Sequence, residues 1–181
     1  PPHVCSRGAP HVARRPIPAP DSWRALSGRG TAVSARLAGG GGGRIVVGID
    51  GSDASLNALA WAARQAELTG ATLVALTTWE WPNSLGWAVP IPDNFDPAVD
   101  AERGLETAVA GVRAEHPAVA METRVAEGHP APVLVEASRG ADLLVVGSRG
   151  RGAFAGMLLG SVSEHCVTRA HCPVVVHRAE S

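Results

Sequence analysis

Two short runs of apolar, mostly β-branched residues set the terms for this chain: Arg44 to Ile49 (R-I-V-V-G-I) and Asp142 to Gly147 (D-L-L-V-V-G). Past its first residue, neither run alternates with polar positions, and such a run fits a strand covered on both faces. Between and after these runs, further strand-like stretches alternate with segments whose apolar residues recur at the helical period. This alternation predicts an α/β domain, with parallel strands joined by helical crossovers that pack on both faces of one sheet.

The individual elements follow from local signals. Ser52 reads as the N-cap of a helix with Leu56, Leu59, Ala60 and Ala63 inward, and Gly70 as its stop. Thr72 to Trp79 makes the second strand. Asp96-Pro97 opens a second helix, with Val99, Leu105, Ala108, Val109 and Val112 inward, that ends before Pro117. Val119, Met121, Thr123 and Val125 alternate with other residues, which places the third strand near an edge. A short helix from Pro132 to Arg139 stops at Gly140, Gly160-Ser161 opens a helix with Val162, Cys166 and Ala170 on one face, and Val174 to His177 is the last strand. The connection from Glu80 to Phe95 contains Trp81, Trp87 and three Pro, and its role stays open.

Charge divides the chain of 181 residues into two parts: residues 1–43 hold six Arg against Asp21 alone, whereas residues 44–181 hold ten Arg against sixteen acids. The first part also contains six of the fourteen Pro and eight of the twenty-one Gly, with no sustained apolar period, and is expected to be a disordered leader. Residues 44–181 are expected to form one domain. An acidic body without a basic patch argues against nucleic acid as a partner. No apolar run of signal-peptide or membrane-spanning kind is present, and an odd set of three cysteines suits free thiols, so the expectation is a cytoplasmic chain. His165-Cys166 and His171-Cys172 resemble metal-ligand pairs, but one pair falls inside a predicted helix and the other at its exit, which is poor spacing for zinc.

The informative chemistry lies where strands end. In doubly wound sheets, ligands bind beyond the carboxyl ends of the strands. Here the first strand ends in Asp50-Gly51-Ser52 and the fourth in Gly147-Ser148-Arg149-Gly150. Glycines let main-chain N–H groups approach an anion, and the helix start at Gly160, Ser161, Val162 and Ser163 adds unpaired donors and two hydroxyls. Together they describe a phosphate cradle that uses no lysine; the chain contains none, which also excludes a Walker-A loop.

The spacing Gly147, two residues, Gly150, nine residues, Gly160-Ser161 resembles the nucleotide-binding branch of the universal stress protein family. The segments V-V-G-I-D-G-S (46–52), L-L-V-V-G-S-R-G-R-G (143–152), L-L-G-S-V-S (158–163) and H-C-P-V-V-V (171–176) look like signatures of that family. The resemblance runs from Arg44 to about Arg178 and implies a five-stranded parallel sheet of order 3-2-1-4-5, of the adenine nucleotide alpha hydrolase-like kind. It also implies an ATP site: Gly48 and Asp50 at the first strand, with Asp50 near ribose or a phosphate-bound Mg²⁺ or Mn²⁺ ion, and Thr78 offering its main chain to adenine. The triphosphate falls to Gly147, Ser148, Arg149, Gly150, Arg151, Gly152 and Ala153 with Gly160, Ser161, Val162 and Ser163. A homodimer through Val174–His177 is implied as well.

On this reading the chain is an ATP-binding stress-response or regulatory module and not an enzyme. The alternative is a slow ATP hydrolase or phosphotransferase in the same pocket, for which only Asp50 stands ready as a catalytic group. A receiver-like signalling domain would need a lysine at a late strand end, and the chain has none.

Overall fold

The computed structural model describes residues 43–81, 96–152 and 158–178. The expectation for the leader, Gly43 apart, lies outside these residues, as do Ala153 and most of the Glu80–Phe95 connection. Chain order is β1 (Arg44–Gly48), α1 (Asp53–Thr69), β2 (Thr72–Trp79), α2 (Pro97–Glu115), β3 (Met121–Glu127), α3 (Pro130–Ala137), β4 (Leu143–Gly147), α4 (Ser161–Arg169) and β5 (Val174–His177). The five strands pair in the order β3-β2-β1-β4-β5, every pair parallel.

Because side chains alternate across a strand, the sheet feeds two cores. Ile45, Val47, Leu73, Ala75 and Val145 pack against Leu59, Ala62 and Ala63 of α1 and Leu105 and Val109 of α2. Val46, Val74, Leu76, Leu144 and Val146 pack on the other face with Leu134 of α3 and Cys166 of α4. The winding therefore reverses between β1 and β4. Their carboxyl ends diverge there and leave a crevice.

Helix termini follow the sequence signals closely. Ser52 Oγ accepts the Ser55 N–H at the start of α1, and Gly70 ends it in the left-handed region at φ +68°. Asp96 caps α2 by accepting from the N–H groups of Ala98 and Val99.

Three expectations need correction. Leu56 and Val99 are exposed, at 36% and 45%; the buried stripe of α1 runs instead through Ser55, Ala58, Leu59, Ala62, Ala63 and Ala66. Small alanines let α1 lie close to the sheet, and this selects their side over the bulkier Leu56. Helix α3 starts two residues early, at Pro130, whose fixed φ suits a first helical position. On α4 the fully buried positions are Ser163 and Cys166, while Val162 is only partly covered.

Candidate functional site

A cavity of about 780 Å³ opens at the carboxyl ends of β1, β2 and β4, within the size range of small-molecule sites. Its walls include Gly48, Asp50, Thr78, Gly147, Arg149, Gly150, Arg151, Gly152, Gly160, Ser161, Val162 and Ser163, so twelve of the fourteen residues expected at a site converge on one space. Ala153 lies outside the described residues. Ser148 does not reach the cavity wall: it is buried, its N–H donates to the His177 carbonyl (2.7 Å), and its own carbonyl accepts from the Gly160 N–H (2.8 Å). That last bond ties the turn after β4 to the start of α4, so the two glycine-rich stretches form one surface.

The glycines have distinct reasons to be glycine. A Cβ on Gly147 would stand 2.9 Å from the Ala54 carbonyl carbon and 3.0 Å from Ser55 N, both main-chain atoms of the first turn of α1. One on Gly150 would overlap Asp50 Oδ2. At Gly160 the nearest atoms are ordinary neighbours, Arg149 Cα at 3.5 Å and Gly150 N at 3.7 Å, so here a side chain would lie along the turn after β4.

Of the two hydroxyls expected to serve a phosphate, Ser163 is already committed. Its Oγ donates to the Gly147 carbonyl at 2.6 Å and clamps α4 to the end of β4. Ser161 is exposed at the cavity wall. Among the described residues, neither the Arg149 nor the Arg151 guanidinium enters an ion pair.

Asp50 sits between the two loops. Its Oδ1 accepts from Ser52 N–H (3.0 Å) and Ser52 Oγ (2.6 Å), and its Oδ2 accepts from the Arg151 N–H (3.0 Å). Burial raises the Asp50 pKa, but the hydrogen bonds from Ser52 and Arg151 outweigh it and hold the carboxyl below the ordinary aspartate value. As a seat for a resident metal ion the site does not fit: Asp50 brings one carboxylate with both oxygens engaged, and the described residues contain no group of three His, Cys, Asp or Glu able to hold a cation.

At the opposite end, the ladder of β2 sets the direction of its main chain. Leu73 N–H and the Trp79 carbonyl bond on the β3 side, and Leu76 accepts from Ile49 N–H on the β1 side. By alternation, the N–H and carbonyl of Thr78 point to the β1 side, beyond the last residue of β1 and over the cavity. Glu80, Asp100 and Gly104 complete that end. Sequence reasoning missed Asp100 and Gly104, which no motif marks. Trp79 does not line the cavity; it packs edge-on to Trp81, with ring centroids 5.8 Å apart.

Fold and site together define a doubly wound α/β domain with a glycine-lined ligand cavity at its switch point. Residues 43–178 match the Universal stress protein family, and the chain belongs to that family. It is 39% identical over 137 residues to Universal stress protein Rv2624c of Mycobacterium tuberculosis, covering 75% of this chain and 48% of that relative. To Universal stress protein Rv2623 of the same organism it is 42% identical over 140 residues, covering 74% and 44%. The chain thus spans about half the length of these curated relatives. Among solved structures, a universal stress protein crystallised in complex with cAMP is 31% identical, with a TM-score of 0.54 over 75% of this chain and 95% of that one.

Proposed function

We propose that this chain is an ATP-binding module of stress-response or regulatory type. The observation that carries the reading is the joined cradle: the Gly147–Gly152 turn and the N-terminus of α4, tied through Gly160 N–H to the Ser148 carbonyl, present main-chain donors to one cavity. Phosphates lie on Gly147, Arg149–Gly152 and Gly160–Val162. Adenine lies at the other end, where the Thr78 carbonyl accepts from the exocyclic amine and the Thr78 N–H donates to the neighbouring ring nitrogen. Guanine presents the reverse pattern of donors and acceptors on that edge and is rejected.

Ribose lies beside Asp50, and a divalent cation enters only as the counter-ion of the triphosphate. The similar protein crystallised with cAMP supports an adenine nucleotide as the ligand class. The module binds rather than turns over its ligand: among the described residues the carboxylate at the phosphate end is that of Asp50, and both its oxygens are engaged. It pairs with a second copy along β5, whose outer edge has no neighbouring strand among the described residues. It works in the cytoplasm, away from membranes and nucleic acid; among the described residues no helix is long and apolar enough to cross a bilayer.

Calorimetric titration with ATP, AMP and GTP in the presence of Mg²⁺ tests the ligand: binding of ATP and not GTP is expected, and equal binding of both refutes the Thr78 assignment. Prolonged incubation with radiolabelled ATP tests the binding role, and multiple turnovers would make the protein an enzyme.

A further inference from the structure

Arg151 N–H belongs to the stretch that the proposed function gives to phosphate, yet in this structure it donates to a carboxylate of the protein itself, Asp50 Oδ2 at 3.0 Å. The contact is built in from both sides. Ser52 fixes the other carboxylate oxygen through its N–H and its hydroxyl, and Gly150 leaves the space that Oδ2 fills. The bond joins positions 101 residues apart in sequence and holds the turn after β4 against the loop after β1. An anion reaching this part of the cradle meets a donor already used and a fixed negative charge beside it.

We propose that Asp50 is a positioning residue that serves as the cradle's own anion, holding Arg151 N–H in place and competing with incoming phosphate for it. The proposal rests on the nucleotide reading above and adds a control to it. Phosphate enters by displacing the carboxylate from Arg151, and Mg²⁺ accompanying the phosphate eases entry by offsetting the negative charge of Asp50. Affinity for the phosphate part of the ligand then depends on the Asp50 charge.

The test uses the full chain as wild type, Asp50→Asn and Asp50→Ala, each first checked for a wild-type circular dichroism spectrum. Without nucleotide, hydrogen exchange at the Arg151 amide should be about tenfold faster in Asp50→Ala than in wild type, because an amide that loses its acceptor is released to solvent. Calorimetry with ATP in EDTA should show Asp50→Asn binding about three- to tenfold tighter than wild type. With Mg²⁺ this gap should narrow. Unchanged exchange at Arg151, or metal-free ATP binding no tighter in Asp50→Asn than in a wild type that does bind ATP, overturns the competition and leaves the nucleotide reading standing. Failure of all three proteins to bind ATP with Mg²⁺ overturns both.

Discussion

Replacing Gly147 by alanine adds one methyl group at the most crowded point of the site. The new Cβ would lie 2.9 Å from Ala54 C and 3.0 Å from both Ala54 O and Ser55 N. All three are main-chain atoms of the first turn of α1, so no side chain can swing aside and either the helix or the end of β4 must move. Overpacking of this kind costs about 1–3 kcal/mol. For a domain of this size each kcal/mol lowers the melting temperature by roughly 3 °C, so a drop of about 3–10 °C is expected. Gly111→Ala is the control: Gly111 lies on the exposed side of α2 with no atom within 4 Å of its added Cβ. There the same change should raise stability by about 0.5–1 kcal/mol through helix propensity alone. Differential scanning calorimetry on the two variants reads opposite signs from identical chemistry. A Gly147→Ala protein that melts within a degree of wild type would refute the close approach of β4 to α1.

The other predictions rest on single features. On β5, Pro173 and His177 carbonyls accept from Leu144 and Ser148, so by alternation the main chain of Val174 and Val176 faces away from β4. Val176→Pro should therefore shift the proposed dimer to monomer by light scattering with the fold kept, and an unchanged mass refutes pairing along β5. Because the folded Asp50 pKa is lowered, its contribution to stability is present above the ordinary value of 3.8 and lost as pH falls through the folded value. Wild type should melt above Asp50→Asn at pH 6, with the difference vanishing in acid; a difference independent of pH contradicts this. The Cys166 thiol is fully buried and pushed up to about 11 by that burial. Iodoacetamide at pH 8 should leave it unlabelled until the protein is denatured, as read by mass spectrometry, and rapid native labelling refutes the packing of α4.

Burial on both faces leaves the unbroken apolar runs that made β1 and β4 legible, and the limits of β2 and β5 coincide with the stretches Thr72–Trp79 and Val174–His177 to the residue. Helix faces were less legible. Leu56 and Val99 fit a helical period as well as their buried neighbours do, and for Leu56 it is the small residues of α1, which permit close approach to the sheet, that decide which side turns inward. The order of the strands came from resemblance, since nothing local in β1 says that it will lie between β2 and β4. At the site, the glycine spacing pointed to residues that line one cavity but could not assign jobs among them. Ser148, Ser163 and Asp50 look alike in sequence as polar groups near a phosphate; in the fold, each spends hydrogen bonds on joining β4, α4 and the first loop together. Asp100 and Gly104 reach the cavity through the packing of α2, which no motif records.

The account stands or falls on the start of α4. At Gly160 a valine side chain would extend along Arg149 Cα and Gly150 N, over the donors assigned to phosphate, while the extended backbone there (φ −77°, ψ 158°) accepts a β-branched residue without strain. Each charge-assisted hydrogen bond to phosphate contributes roughly 1.5–3 kcal/mol, so losing one or two should weaken binding by at least about tenfold. The measurement is calorimetric titration of wild type and Gly160→Val with ATP and Mg²⁺, both proteins first shown to share one melting profile. The cradle predicts saturable one-to-one binding by wild type and at least a tenfold loss in Gly160→Val. No binding by wild type, or equal affinity in the two proteins, would contradict the assignment of this cavity to a nucleotide.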